Sequence, residues 1–252
     1  MSPSWLERAE IVFAAGALQM ARSHRLRKAR AASQRFEVEP RAAGAPDAPI
    51  WQAALDTLAQ VLAAERPASA RVRLSGRFCR LALAPWSPGL TAEEERALAR
   101  AVFLETYGEA VHGWEVRADN LKRGAALVLC AVDAELVAGI TRAVAAAGWR
   151  LESLEPLVAA ALASAAGPAQ SGATASWNAL IEPDWCSAAL IEGEAFLATC
   201  GMPVATSAAM VTQTLDRENV RLARDVRALR LLPGSIALPF GGDLSGWAVT
   251  QA

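Results

Sequence analysis

The side chains that could perform metal or nucleophilic chemistry lie far apart in this sequence. His24 and His112 are the only histidines, and neither has a second histidine or a cysteine at a metal-ligand spacing. The cysteines form no Cys-x-x-Cys pair and lie in apolar segments, which predicts buried free thiols. They are Cys79, Cys130, Cys186 and Cys200. The sequence therefore predicts no metal site and no catalytic residues.

Three consecutive glutamates at positions 93–95 are the remaining candidates for paired catalytic carboxylates. They follow Thr91, which is a suitable N-cap residue, and Glu94 stands where the second half of a capping box belongs. Acidic side chains are also favourable in the first turn of a helix, where the helix dipole is positive. We therefore interpret these glutamates as the start of a helix. No Gly-x-x-x-x-Gly-Lys-Ser/Thr loop occurs, so the motif of a P-loop ATPase is absent.

The segment from Arg22 to Arg30 is the most basic in the chain. Its positively charged residues are Arg22, Arg25, Arg27, Lys28 and Arg30. A solvated loop or strand edge is the simplest interpretation, and a contact with acidic lipid head groups or an acidic partner is the functional one. A nucleic-acid adaptor using residues 22–35 is a weaker alternative, because no aromatic side chain for base stacking lies within the run.

The composition is that of a folded protein with a sizeable core. The chain has 252 residues, of which 53% are hydrophobic and 20% charged, and its formal net charge is -1. Such a charge gives no overall attraction for nucleic acid or anionic lipid. No apolar run is long enough for a membrane-spanning helix, and the first residues do not form a signal peptide. We expect a cytoplasmic protein.

Hydrophobic periodicity divides the first half into strands and helices. Residues 8–21 predict two short strands that turn at Gly16, and residues 33–39 predict a third. A helix follows from Trp51 to Leu62, then strands around Ser75-Gly76 and the helix that starts at Thr91. Residues 125–132 predict a central strand, followed by a helix with Asp133 as N-cap and Gly148 beyond its end. Residues 154–156 are interpreted as the opening of another helix.

The second half begins after a linker and repeats the pattern of the first. Residues 164–176 are small and polar without periodicity, which is typical of a linker. Three strands follow at 178–181, 187–191 and 195–199, then a helix at about 205–224 and a strand at 228–232. Three strands followed by a helix thus occur twice, which indicates duplicated subdomains. We predict a first subdomain at 1–166, a linker at 167–176 and a second, shortened subdomain at 177–252.

This order of strands and helices, with its landmark residues, resembles the actin-like proteins of bacterial type IV pilus and type II secretion platforms, the PilM-like and GspL-like families. The landmarks are Ser69–Gly76, Cys79–Trp86, Thr91–Arg96, Tyr107-Gly108, Trp114–Asp119, Ala125–Val132, Ala147–Trp149 and Leu154–Pro156. The resemblance implies an α/β, actin-like (ribonuclease H-like) fold of duplicated subdomains. Each would have a mixed sheet with three leading strands and flanking helices.

The same resemblance implies where a nucleotide would bind and shows that the motifs are degenerate. Nucleotide-binding members carry an Asp-x-Gly signature in the first hairpin of each half. Here Gly16 keeps the glycine of the first signature, but Ala14 replaces the acid. In the second, Glu182 keeps a carboxylate, Pro183 removes an N–H group, and Asp184 replaces the glycine with a group that repels phosphate. A Gly-Gly turn over the adenosine could match Pro233-Gly234 or Gly241-Gly242.

The resemblance therefore implies a non-enzymatic scaffold without a cofactor, on the cytoplasmic face of the inner membrane. Its partner would be the cytoplasmic segment of an inner-membrane pilus or secretion protein, together with an assembly ATPase and, at the periphery, the membrane itself; no nucleic acid is expected. The alternative is an actin-like ATPase or kinase. In that case Glu182 or Asp184 would hold Mg²⁺ and Gly16 would face the phosphates of ATP.

Overall fold

The computed structural model describes residues 7–24, 27–39, 48–119, 126–165, 174–203, 208–235 and 246–251; at 27–32 and 165 it describes the backbone alone. The chain forms two compact units. The first comprises residues 1–78, 113–115 and 132–157, and the second comprises 79–112, 116–131 and 158–252. Most of the predicted linker lies outside the described residues, so the predicted subdomain boundaries stay predictions.

The described part of the chain alternates between strands and helices. In chain order the strands are β1 (Glu7–Phe13), β2 (Ala17–His24), β3 (Arg27–Glu37), β4 (Ser69–Leu74), β5 (Cys79–Ala84), β6 (Trp114–Asp119), β7 (Leu127–Asp133), β8 (Arg150–Pro156), β9 (Ser176–Ile181), β10 (Trp185–Glu192), β11 (Ala195–Pro203), β12 (Ala228–Leu231) and β13 (Ala248–Gln251). The helices are α1 (Gln52–Ala64), α2 (Ala92–Tyr107), α3 (Ala134–Ala146), α4 (Leu157–Ala165) and α5 (Ala208–Arg221).

The first unit contains a mixed five-stranded sheet in the order β3-β2-β1-β4-β8. The three leading strands are antiparallel neighbours, and β4 and β8 join them in parallel. Alternate residues of β1 are buried, namely Ala9, Ile11 and Phe13, because one face of the strand carries the core. Helix α1 contacts β2, α3 contacts β8, and the two helices contact each other.

The second unit repeats this arrangement in its own five-stranded sheet, whose order is β11-β10-β9-β12-β13. Strands β9, β10 and β11 are again antiparallel neighbours, and β12 and β13 again add in parallel. Its core joins the sheet to α5 through residues such as Trp177, Val211 and Leu215. The prediction of an α/β fold with duplicated three-strand starts is therefore confirmed.

A smaller three-stranded sheet, in the order β5-β7-β6, lies mostly within the second unit. The central strand predicted at residues 125–132 is β7, and β5 contacts both α2 and β11. Helix α2 begins with the predicted capping box: Glu94 N donates to Thr91 Oγ1 at 3.3 Å, and Thr91 N donates to Glu94 Oε2 at 2.7 Å. Because these bonds satisfy N–H groups at the helix start, Glu94 has a structural role as half of the capping box.

One prediction for the first unit was wrong. Residues 154–156 do not open a helix; they end β8, and α4 begins only at Leu157. Strand β8 pairs in parallel with β4, and an irregularity between Ala70 and Arg71 shifts the register. Two consecutive polar residues, Glu152 and Ser153, interrupt the apolar alternation by which a strand is recognised in the sequence, so the parallel partner decides the structure.

The end of α5 gives a first prediction about stability. Ala223 adopts a left-handed backbone conformation with φ of 52°, while Arg224 N donates to Asn219 O at 2.9 Å and Ala223 N donates to Val220 O at 3.1 Å. This is a Schellman motif with alanine where glycine is preferred. We expect Ala223→Gly to raise the free energy of unfolding by about 0.5–1 kcal/mol in urea titration, since glycine removes the Cβ strain. A loss of stability in Ala223→Gly would contradict the expectation that the Ala223 Cβ atom is strained.

Candidate functional site

The two loops that the resemblance assigns to phosphate binding have the same construction. In the first unit, Ala14 N donates to Ala17 O at 3.3 Å and closes the loop of residues 14–16 between β1 and β2. In the second unit, Glu182 N donates to Trp185 O at 2.7 Å and closes the equivalent loop between β9 and β10. The strand pairs before each loop also correspond, with Phe13 opposite Leu18 and Ile181 opposite Cys186. Residues 14–16 and 182–184 are therefore structurally equivalent, as the resemblance implied.

Gly16 is not required by the backbone or by packing. It is exposed, its φ is not in the left-handed region, and a Cβ atom built on it would have no heavy atom within 4 Å in the described structure. Its carbonyl accepts from Val38 N at 3.1 Å, which joins the loop to the end of β3. The open space beside Gly16 fits the close backbone approach that a bound anion needs. Whether this loop binds one stays a prediction.

The second loop differs from the first in its side chains, which are Glu182, Pro183 and Asp184. Glu182 is buried, with 4% of its surface exposed, and Asp184 is half-buried. Pro183 has no N–H group, so the loop has one fewer donor than its equivalent in the first unit. Glu182 also lies close enough to Cys79 and Cys186 for its charge to act on both thiols. Glu182 is thus largely shielded from solvent.

Mg-ATP is the cofactor that the actin-like resemblance implies, and the second loop does not fit its phosphates. A phosphate needs converging N–H donors and positive potential, whereas this loop offers two carboxylates and a proline. The first loop lacks the acid that would manage a metal ion, because Ala14 occupies that position. Within the described residues, no group of three or more His, Cys, Asp or Glu side chains is arranged to hold a metal.

The cysteines, which all belong to the second unit, are free thiols. Cys79 and Cys186 are buried, as predicted, whereas Cys130 and Cys200 are half-buried. A hydrogen bond to Cys130, and then burial, raise the pKa of Cys79 well above its ordinary value. Burial, with a smaller contribution from Cys200, likewise raises the pKa of Cys186. High thiol pKa values are expected of structural cysteines, not of nucleophiles.

Cys200 gives a prediction that can be checked chemically. Burial raises the pKa of its thiol to about 12, so the thiolate, which is the reactive form, is scarce at pH 8. We expect Cys200 in the folded protein to react with Ellman's reagent roughly a hundredfold more slowly than in urea. The reaction phase of Cys200 is identified as the phase that is absent in a Cys200→Ser variant. Equal rates in the folded and unfolded protein would contradict a protected thiol.

The basic segment proves to be described only in part. Arg22 forms ion pairs with Glu7 at 3.3 Å and Glu65 at 3.0 Å, and its guanidinium lies 5.1 Å from the ring centroid of Trp149. Arg25 lies outside the described residues. The backbones of Arg27, Lys28 and Arg30 belong to β3, but their side chains lie outside the described part. Arg22 thus stabilises the first unit, and the predicted membrane or partner contact of the segment stays a prediction.

A groove in the first unit was not foreseen from the sequence. It has a volume of about 500 Å³ and lies between α1 and α3, lined by Trp51, Gln52, Leu55, Ala134, Glu135, Ala138 and Arg142. The sequence placed Trp51 and Leu55 on one helical face, and Asp133 at a helix start, but neither pattern indicates that these helices meet. The one available signal was Gly139, since an isolated glycine inside a helix often marks close packing.

No family model and no curated protein matches this chain. Solved structures do. The chain is similar to a chain of the PilM-PilN type IV pilus biogenesis complex, with a TM-score of 0.69 and 17% identity over 99% of this chain and 89% of the other. It is also similar to the cytoplasmic domain of EpsL, an inner-membrane component of the type II secretion system of Vibrio cholerae. There the TM-score is 0.62 and the identity 12%, over 98% of this chain and 90% of that one.

A Bacteroides thetaiotaomicron protein with an actin-like ATPase fold and unknown function matches over 99% of this chain and 91% of its own length. The TM-score is 0.65 and the identity 12%. At such identities the likeness concerns the fold, and it extends over nearly all of each chain. The chain therefore has the actin-like fold, in a form similar in structure to the PilM and EpsL proteins.

Proposed function

We propose that this chain is a non-enzymatic scaffold of a type IV pilus or type II-like secretion assembly platform. It binds the cytoplasmic segment of an inner-membrane partner and is itself cytoplasmic, at the periphery of that membrane. An assembly ATPase is a second partner. The observation that carries the proposal is the similarity, over nearly the whole chain, to a chain of the PilM-PilN complex and to the EpsL cytoplasmic domain.

The chemistry of the loops supports recognition over catalysis. An actin-like nucleotide site needs an acid and a glycine in each hairpin, and each hairpin here has lost at least one of them. Ala14 replaces the acid in the first, and Asp184 replaces the glycine in the second. A fold that keeps its sheets and loses its phosphate-binding residues provides a rigid surface for a partner.

In this proposal, the chain is held at the membrane by its membrane-protein partner. Within the part of the chain that the structure describes, no helix combines the length and hydropathy that crossing a bilayer requires. A short peptide from a membrane protein can bind to such a surface by adding a strand to a sheet or by filling a groove.

The alternative proposal is an ATP-using actin-like enzyme. The specific observation in its favour is the open space beside Gly16, which would allow a phosphate to approach the first loop. Two features argue against an enzyme. The first loop has Ala14 in place of the acid, and the second loop contains Pro183 and a second carboxylate, Asp184. We therefore place the scaffold first.

An affinity pull-down tests the scaffold. The full chain, immobilised through a terminal tag, is incubated with detergent-solubilised membranes of its native cell, and bound proteins are identified by mass spectrometry. We expect recovery of a membrane protein of a pilus or secretion system, and release of that protein by a synthetic peptide copying its cytoplasmic segment.

Two controls make the outcome decisive. Bare resin and an unrelated protein of actin-like fold remove proteins that bind non-specifically. A platform protein with a known membrane partner, carried through the same procedure, shows that the solubilised partner survives. If that control recovers its partner while this chain recovers no pilus or secretion component, the proposed function is wrong.

A further inference from the structure

Two of the cysteines lie side by side in the three-stranded sheet. Cys79 is the first residue of β5, Cys130 belongs to β7, and these strands are neighbours in the order β5-β7-β6. A hydrogen bond joins the two thiols, which requires their sulfur atoms to be close together. Opposite residues of neighbouring strands have Cα atoms about 4.5–5.5 Å apart, and a disulfide spans about 4.4–6.8 Å. The spacing of the strands is therefore suitable for a disulfide between Cys79 and Cys130.

The other two cysteines, on β10 and β11, are less well placed for a disulfide. Cys186 lies opposite Met202, and Cys200 lies opposite Ala188, so the two cysteines are diagonal neighbours. Diagonal neighbours are about 7–8 Å apart, which exceeds the span of a disulfide. A bridge between Cys186 and Cys200 would require the strands to shift. This second pair therefore serves as an internal control for the first.

Cys79 and Cys130 differ in their access to solvent. Cys79 is 4% exposed, whereas Cys130 is half-buried and alternates along β7 with the fully buried Leu129 and Ala131. A small reagent is therefore expected to meet Cys130 first. The hydrogen bond to Cys130, and then burial, raise the pKa of Cys79, so its thiolate is scarce. Cys79 can nevertheless react in a second step, because an adjacent sulfur acts at a very high effective concentration.

The pair also lies at two points where the chain passes between the units. The chain first enters the second unit between Phe78 and Cys79, and it leaves again between Ala131 and Val132. A disulfide between Cys79 and Cys130 would close residues 79–130, which include α2 and β6, into a loop. Closing such a loop restricts the unfolded chain and so favours the folded arrangement of β5 and β7.

We propose that Cys79 and Cys130 are an oxidation site, at which a reversible disulfide joins β5 to β7. The oxidant is a small-molecule disulfide such as oxidised glutathione. The Cys130 thiolate attacks one sulfur of the oxidant, whose S–S bond breaks, and the first oxidant thiolate leaves. The Cys79 thiolate then attacks the Cys130 sulfur and displaces the second oxidant thiolate.

The reaction is balanced without any further reagent. Two cysteine thiols are oxidised to one disulfide, and the disulfide of the oxidant is reduced to two thiols. These thiols take up the two protons that the cysteines lose. In a compartment that keeps thiols reduced, such a disulfide is a transient, redox-sensing one. The pair is thus a dithiol under reducing conditions and a covalent link between the strands under oxidising conditions.

Peptide mapping after mild oxidation tests the pair directly. The folded full chain is incubated with oxidised glutathione, the remaining thiols are alkylated in urea, and peptides are identified by mass spectrometry without reduction. We expect a Cys79–Cys130 disulfide that dithiothreitol reverses, with Cys186 and Cys200 recovered in alkylated form. The proposal would be overturned if no such disulfide formed, if Cys130 stayed joined to glutathione, or if a Cys186–Cys200 bridge formed in equal yield.

Serine variants and urea show whether the fold selects the pair. We expect Cys130→Ser to retain the circular dichroism spectrum of the folded chain, because position 130 is half-buried, and to form no bridge to Cys79. Cys200→Ser, a matched change at a half-buried cysteine outside the pair, should form the Cys79–Cys130 bridge within about twofold of the original rate. In urea, bridges between other cysteines should appear. Loss of the bridge in Cys200→Ser, or the same selectivity in urea, would contradict a pair positioned by the strands.

Urea unfolding of the two redox forms tests the link between the strands. We expect the oxidised chain to unfold at a urea concentration about 1 M higher than the reduced chain, because the bridge restricts residues 79–130 in the unfolded state. Cys130→Ser, treated with oxidised glutathione in the same way, should show no such rise. An equal or lower midpoint for the oxidised chain would mean that the bridge distorts the folded β5–β7 pair, and the proposed link would be wrong.

Discussion

Replacing Asn219 with alanine is expected to lower the free energy of unfolding by about 3 kcal/mol. Asn219 Oδ1 accepts from Trp177 Nε1 at 3.0 Å, and Asn219 Nδ2 donates to Val226 O at 2.8 Å. Trp177 is fully buried and Asn219 is 3% exposed, so water cannot replace the lost partner. The variant therefore leaves an indole N–H and a backbone carbonyl unsatisfied in the core of the second unit, each at a cost of about 1–3 kcal/mol.

Urea unfolding followed by circular dichroism measures this effect. Gln213→Ala, an exposed change on the same helix, controls for altered helix propensity and should stay within about 0.5 kcal/mol of the unchanged chain. A loss below about 1 kcal/mol for Asn219→Ala would mean that the second unit is not held together by this network.

The second large effect is expected in the first unit. Trp149→Ala should lower the free energy of unfolding by about 4 kcal/mol, because a buried aromatic side chain is removed. Trp149 is 5% exposed, its Nε1 donates to Leu62 O at 3.1 Å, and Arg22 lies over its ring. The substitution creates a cavity, breaks a buried hydrogen bond and removes the surface on which the Arg22 guanidinium lies.

A milder substitution separates these contributions. Trp149→Phe loses the hydrogen bond but retains most of the packing, so it should cost about 1–2 kcal/mol. Arg22→Ala should weaken the same unit through its ion pairs with Glu7 and Glu65, although by less, because both pairs are partly exposed. If Trp149→Ala changed the urea midpoint no more than Trp149→Phe does, Trp149 would not be part of the core.

The sequence predicted most of the fold because local signals determine most of it. Thr91 with Glu94, Asp133 and Gly148 are capping residues whose roles are decided within one helical turn, and the structure confirms each of them. The hairpin at Gly16 was predicted from apolar strands around a small-residue turn. The equivalence of residues 14–16 and 182–184 came from the resemblance, and the shared loop construction supports it.

The features that could not be predicted depend on contacts between distant segments. Strand β8 is decided by its pairing with β4, some eighty residues earlier, and its own residues do not alternate clearly. The partners of Arg22 come from β1, from the end of α1 and from the residue that precedes β8, so the charge run alone suggested a free basic surface. The groove requires Gly139 to meet Leu55 across two helices, which no single-segment pattern shows.

Whether this chain has lost nucleotide binding is tested most directly by isothermal titration with Mg-ATP. The full chain and a Glu182→Ala variant are titrated side by side. We expect no binding heat up to millimolar nucleotide for either protein, because the acid is missing at Ala14 and a carboxylate occupies position 184. Micromolar binding that disappears in Glu182→Ala would contradict it and identify the chain as a nucleotide-using member of the fold.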